Sequence, residues 1–187
     1  MSQNNIRAKL KKHPIIPVVT FDSMEQVAPM MDRLLKMGIQ CIEITLRTAI
    51  AYEAIKKVKM EYGEKVDVGM GTITNKLQVE KAKELGVDFL VSPGIHPNLF
   101  EAFEKSEIAF IPGVATPSDI ISGLTQSWET FKFFPAHLFG GYEALKNYGQ
   151  VFPNIQFCPT GGITKDTFQE YLDLDNVISV GGSWMAK

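Results

Sequence analysis

The segment 130-TFKFFPAHLFGG-141 is an apolar run that stops at a proline and opens into a glycine-bearing loop, with a single lysine at its centre. Seven other short apolar runs share its form: 15-IIPVVTF, 41-CIEITLR, 66-VDVGMGTI, 88-DFLVSPG, 108-IAFIPGV, 155-IQFCPTGG and 177-VISVGGS. Longer amphipathic stretches separate them, among them 22-DSMEQVAPMMDRLLKMG, 48-TAIAYEAIKKVKMEYG, 74-TNKLQVEKAKELG and 164-TKDTFQEYLDL. In these the apolar residues recur at helical spacing, with Asp22 or Ser23 and Thr74 or Asn75 as N-caps and Gly38 and Gly86 as stops. Strands joined through helices pair in parallel, because a parallel connection needs a crossover element. Eight such units predict an α/β fold, a TIM (β/α)8 barrel, with residues 1–187 as one domain. The competing architecture is an open doubly wound sheet, which has fewer strands and carries a GxGxxG turn after the first. Here the first strand runs into TFDSM instead.

Pro93, Pro112, Pro135 and Pro159 stand near the ends of the fourth to seventh runs, in SPG, IPG, FPA and CPTGG. Proline donates no ladder hydrogen bond, so it belongs where a strand gives way to a loop. These ends are expected on one face, the face that carries the chemistry of a barrel.

The bulk composition excludes several classes of function. Hydrophobic residues make up 45% and charged residues 21% of 187, as in an ordinary globular domain. The net charge is -2, so no broad positive field draws nucleic acid or an anionic membrane, and any bound anion needs a local site. Cys41 and Cys158 have neither disulfide nor metal spacing and sit in apolar runs as small core residues. No metal site is expected. The start, MSQNNIRAKLKKHP, has no signal-peptide apolar segment and no run is long enough to span a bilayer, so the expected compartment is the cytoplasm.

Strand periodicity locates the chemistry. In 41-CIEITLR, Ile42, Ile44 and Leu46 share one face, and Glu43, Thr45 and Arg47 the other. If the apolar set packs on the helices, the acid and the arginine point into the barrel. By the same rule Phe131 and Phe133 face outward, and Lys132 and Phe134 inward. One reading is a self-neutralising internal ion pair, but desolvation makes such pairs poor stabilisers. The other is catalytic. A lysine shielded from water is expected to lose proton affinity, and its neutral amine attacks carbonyls to form a Schiff base. Glu43 would then move protons, and the forked donors of Arg47 suit a substrate carboxylate.

Two glycine clusters, 159-PTGGIT and 180-VGGSW, fall at the ends of the seventh and eighth strands, where barrels commonly hold a phosphate. Gly161, Gly162, Gly181, Gly182 and Ser183 are the candidates, although each pair alone also reads as a turn. In 69-GMGTI, Gly69, Gly71 and Thr72 either line the mouth of the third strand or relieve crowding and end it. Thr160 either donates to a ligand or caps its turn.

The segments 40-QCIEITLRT, 69-GMGTI, 91-VSPG, 111-IPGVATPSD, 131-FKFFPA, 157-FCPTGGI and 180-VGGSW resemble those of the 2-dehydro-3-deoxy-phosphogluconate aldolases, which often also cleave 4-hydroxy-2-oxoglutarate. The resemblance runs from about residue 10 to the end, and KFFPA and FCPTGG in order with EITLR are its most specific part. It implies a class I aldolase on a TIM barrel, homotrimeric, without cofactor, that releases pyruvate from a phosphorylated 2-oxo acid. By motif it implies Lys132 as the Schiff-base lysine and Glu43 as general acid and base. Arg47 and Thr72 would bind the pyruvyl part, Pro93 and Phe134 line its pocket, Thr160 present the aldehyde face, and Gly161, Gly162, Gly182 and Ser183 hold the phosphate.

The chain departs from that family pattern in two places. It stops at 184-WMAK, where family members continue into a final helix, so the barrel is expected to lack that helix and to need a second subunit over the exposed apolar wall. In 136-AHLFGG, His137, Leu138 and Phe139 replace smaller or acidic residues, a change expected to alter the substrate tail that fits, with His137 a loop histidine and not a catalytic one. Three alternatives stand beside the phosphogluconate reading: an aldolase for 4-hydroxy-2-oxoglutarate, one for the galactonate epimer, and a non-catalytic phosphate-ligand or assembly barrel. A thiamin-phosphate-type barrel shares the glycine ends but gives no reason for an inward lysine beside Glu43.

Overall fold

The computed structural model describes residues 2–187. All eight apolar runs form strands: β1 (Ile15–Val19), β2 (Cys41–Thr45), β3 (Asp67–Gly71), β4 (Phe89–Val91), β5 (Ala109–Ile111) with β6 (Gly113–Val114), β7 (Thr130–Phe133), β8 (Gln156–Pro159) and β9 (Val180–Gly182). The fifth run is two strands because of Pro112. Before it β5 pairs with β4, after it β6 pairs with β7, and the Pro112 carbonyl accepts from the Lys132 N–H at 2.9 Å. Pro112 therefore marks a change of ladder inside a strand and not a strand end.

Every ladder is parallel, in the order β5-β4-β3-β2-β1-β9 and, continuing past Pro112, β6-β7-β8. The sheet curls until β8 meets β9 through two isolated bridges, Phe157 with Val177 and Thr160 with Gly181. The barrel is thus incompletely closed, and this thin seam lies beside the glycine clusters.

The helices are α1 (Ser2–Lys12), α2 (Val27–Lys36), α3 (Ala51–Tyr62), α4 (Lys76–Leu85), α5 (Pro97–Ser106), α6 (Pro117–Leu124), α7 (Gly141–Val151) and α8 (Phe168–Leu172). Asn75 opens α4 with a capping box closed by Gln78, and Gly86 ends it in the left-handed region at φ 65°. Ser23 instead precedes a 3-10 turn, Met24–Gln26, and α2 starts only at Val27. After β9 the described chain ends in a 3-10 turn, Trp184–Ala186, whose indole stacks on Phe168 at 5.9 Å and whose Met185 carbonyl accepts from Arg33 at 3.1 Å. No helix of the described residues is long and apolar enough to cross a membrane.

The period-two assignment of the strand faces holds. Ile42, Ile44, Phe131 and Phe133 join the layer between strands and helices with Met31, Leu34, Ile55 and Val58, all fully buried. The opposite faces supply a second, smaller core inside the barrel, with Ile16, Cys41, Phe89, Ala109, Ile111 and Cys158. Both cysteines are free and buried there. Helix α1, which the apolar pattern does not predict, completes this inner core. Its Ile6 and Leu10 are 0% and 1% exposed against it, and Gln3 bridges the Phe110 carbonyl and the Thr130 N–H at 3.1 and 3.0 Å. With this end plugged, the polar inward residues gather toward the strands' C-terminal ends.

Candidate active site

Lys132, in the middle of β7, points inward and meets Glu43 of β2 across the barrel. Its Nζ lies 3.0 and 3.1 Å from the two carboxylate oxygens, and the side chains are 5% and 6% exposed. The amine also lies 5.1 Å from the centre of the Phe134 ring. A desolvated pair of this kind stabilises a fold poorly in comparison with apolar packing, so its presence asks for another reason. Glu43 reaches the lysine because β3 yields space. A Cβ on Gly71 would stand 2.2 Å from Glu43 Oε1, so only glycine lets the carboxylate lie flat against β3. Crowding thus accounts for Gly69 and Gly71: a Cβ on Gly69 would strike the Phe89 ring at 2.2 Å.

Above the pair opens a cleft of about 460 Å³, which Lys132 helps to line. Arg47, Thr72, Pro93, Phe134, Thr160, Gly161, Gly162, Gly182 and Ser183 all line it, so the residues that the family resemblance implies for substrate binding fall in one cavity, while Gly181 of the second glycine cluster does not line it. Arg47 sits at the exposed mouth and not in the barrel interior, while Thr45 is the inward residue of β2 that is wholly buried, 2.7 Å from the Thr20 hydroxyl. Thr72 adopts φ 68°, a conformation costly for a β-branched residue, and the energy is tolerated where the chain turns out of β3 into the cleft wall.

The far side of the cleft is backbone. Gly161 and Gly162 take φ 95° and 77°, which turns the chain sharply after β8. Among the described residues, the N–H groups of Gly161, Gly162 and Ser183 make no main-chain hydrogen bond, leaving donors for an anion. The loop after β7 is tied to this turn: the Ala136 N–H donates to the Thr160 carbonyl at 2.8 Å and the His137 N–H to the Gly161 carbonyl at 3.2 Å. That tie brings Pro135 and His137 into the cleft wall, together with Val18 and Ile163. Strand periodicity identifies none of these four as site residues, since three lie at strand ends or in loops; the departure of 136-AHLFGG from the family pattern is the one signal that marks His137.

Beneath the lysine, Cys158 pairs in register with it on β8. Burial pushes its thiol up to about 11, with the nearby Lys132 pulling the other way. Burial raises the Cys41 thiol still further. Both are therefore neutral packing groups. Among the described residues no cluster of three or more His, Cys, Asp or Glu side chains is arranged to hold a metal ion.

The sequence profile of the KDPG and KHG aldolases matches residues 6–187. The 2-dehydro-3-deoxy-phosphogluconate aldolase of Pseudoalteromonas atlantica is 40% identical over 173 residues, which is 92% of this chain and 80% of the relative. The crystal structure of KDPG aldolase from Legionella pneumophila, with pyruvate captured as a covalent carbinolamine intermediate, superposes with a TM-score of 0.92 at 40% identity over 95% of this chain and 86% of the other. That of the 2-keto-3-deoxy-6-phosphogluconate aldolase of Zymomonas mobilis with 3-phosphoglycerate gives 0.93 at 38% identity over 97% and 86%.

Proposed function

From the premise that this chain belongs to the KDPG and KHG aldolase family, we propose that Lys132 and Glu43 perform its class I chemistry on a phosphorylated 2-oxo acid. The chain is a carbon–carbon lyase that cleaves 2-dehydro-3-deoxy-6-phosphogluconate to pyruvate and glyceraldehyde 3-phosphate. The single observation that carries the residue assignment is the Lys132 amine, held 3.0 Å from Glu43 in the wall of a cleft that also gathers Arg47, Thr72, Thr160 and the Gly161–Gly162 turn.

In this reading Lys132 passes a proton to Glu43 and its free amine adds to the C2 carbonyl, giving a carbinolamine that loses water to form an iminium. Glu43, again a carboxylate, takes the proton of the C4 hydroxyl. The C3–C4 bond breaks, its electron pair moves into the iminium to form an enamine, and the aldehyde leaves. Glu43 returns a proton to C3, and water hydrolyses the resulting iminium to release pyruvate and regenerate the amine. Arg47 grips the carboxylate through its forked donors. Thr72, Pro93 and Phe134 shape the pyruvyl pocket, and Thr160 presents the aldehyde face. The N–H groups of Gly161, Gly162 and Ser183 with the Ser183 hydroxyl hold the phosphate, and Gly182 lines the same end of the cleft. The protein works as a single-domain homotrimer in the cytoplasm and needs no cofactor. It also cleaves 4-hydroxy-2-oxoglutarate to pyruvate and glyoxylate.

The test is reductive trapping. Protein mixed with pyruvate and a hydride reductant is expected to gain the mass of one reduced pyruvate on the peptide containing Lys132. A folded protein that forms no adduct, or forms it on another lysine, refutes the assignment.

A further inference from the structure

The phosphate end of the cleft poses an electrostatic problem that the assigned residues leave open. A phosphate monoester carries about -1.5 to -2 charges at neutral pH. Of the side chains lining the cleft, Lys132, Arg47 and His137 are those able to carry positive charge. Lys132 is consumed in the imine and Arg47 is matched to the substrate carboxylate at the other end. Thr160, Ser183 and the glycine N–H groups are neutral donors. His137 is what remains.

Its position fits. The imidazole lies against the glycine turn, so that a Cβ on Gly162 would stand 2.4 Å from His137 Cγ and 2.7 Å from Nδ1. The main-chain N–H of His137 donates to the Gly161 carbonyl at 3.2 Å, which sets the ring beside the same backbone donors that face the anion. The side chain is exposed to the cleft, and among the described residues its ring makes no hydrogen bond or ion pair. An imidazole offers an N–H donor in either protonation state and adds a charge when protonated, and charge-assisted bonds to phosphate are about twice as strong as neutral ones.

We propose that His137 is a specificity-determining residue of this chain: it donates to the substrate's phosphate from the Gly161–Gly162 turn and sets the preference for phosphorylated over phosphate-free 2-oxo acids. This inference rests on the reading of the glycine end as the phosphate site. The departure of 136-AHLFGG from smaller or acidic residues then gains a physical meaning, because the imidazole adds a phosphate donor that such residues do not supply.

The experiment compares wild type, H137A, H137Q and S183A on 2-dehydro-3-deoxy-6-phosphogluconate and on 2-dehydro-3-deoxygluconate, which lacks only the phosphate. In H137A the ratio of kcat/KM for the two substrates is expected to fall about 10-fold or more, through KM with kcat nearly constant, as for loss of uniform binding. H137Q, which keeps an N–H donor without the charge, is expected to recover part of that ratio. Inhibition by inorganic phosphate should weaken in parallel. An unchanged ratio in H137A while S183A lowers it overturns the role of His137 and leaves the phosphate site standing. A wild-type ratio near one overturns both. Equal losses on both substrates assign His137 a structural part and overturn the proposal.

Discussion

Removing one member of the Lys132–Glu43 pair should cost stability, and removing both should restore it without restoring activity. In K132M the Glu43 side chain, 6% exposed, is left against β3 with no ammonium 3.0 Å away. At such burial the discount that solvent applies to surface pairs does not hold, and an uncompensated buried charge costs about 3–5 kcal/mol. In E43M/K132M two unbranched apolar side chains of similar outline fill the same space. Replacement of a whole buried pair by apolar groups is commonly neutral or stabilising by about 1–4 kcal/mol. Urea unfolding at one fixed protein concentration reads both quantities, with the slope of free energy on denaturant checked for constancy. Expected is K132M about 3 kcal/mol below wild type and the double variant within about 1 kcal/mol of it or above, a coupling well beyond additivity. Aldol cleavage should be abolished in both. Two results refute the reasoning: K132M as stable as wild type, or a double variant no more stable than K132M. Either means that the pair is relaxed by water or by rearrangement and is not a desolvated contact retained for function.

Two further outcomes follow from the same geometry. Gly71→Ala places a methyl 2.2 Å from Glu43 Oε1, so the carboxylate must move by an ångström or more, and kcat is expected to fall about 100-fold with a stability loss of about 1–3 kcal/mol; unchanged turnover would show that Glu43 need not lie against β3. Cys158, raised from 9.0 in the unfolded chain to about 11 by burial, retains its proton in the folded state while the unfolded thiol ionises, so its contribution to stability is full below pH 9 and is lost as pH rises toward 11. Over that window the slope is roughly 1 kcal/mol per pH unit, and C158A should flatten it in unfolding curves at pH 8 and pH 10.5. A slope that survives in C158A places the alkaline loss on other groups.

Much of the site was legible because its signals are local. A lysine between Phe131 and Phe133 and a glutamate between Ile42 and Ile44 disclose their direction through the pleat alone, and the structure has both pointing inward. The glycine pairs were legible as turns but ambiguous as ligands, and Gly69 and Gly71 were open between lining and crowding; the side chains they face, Phe89 and Glu43, come from strands 20 or more positions away and decide for crowding. Helix α1 is not legible in the apolar pattern because Ile6 and Leu10 alone among its described residues are apolar and buried. Pro112 looked like a strand end because the change of ladder from β4 to β7 is a property of the barrel's closure and not of the residue.

The sequence by itself determined the eight extended runs, the inward direction of Glu43 and Lys132 and the chemistry they make available inside, since side-chain direction along an extended chain alternates whatever the chain later packs against. Only the tertiary structure decided that residues 43 and 132 meet at 3.0 Å, that α1 plugs the opposite end, and that His137 stands over the Gly161–Gly162 turn. Those contacts join residues far apart in the chain or on separate loops, and they exist because the curl of the parallel sheet brings β2 opposite β7 and the loop after β7 against the end of β8. Curl and closure are collective, set by twist and packing summed over all the strands, so no single stretch of sequence carries them.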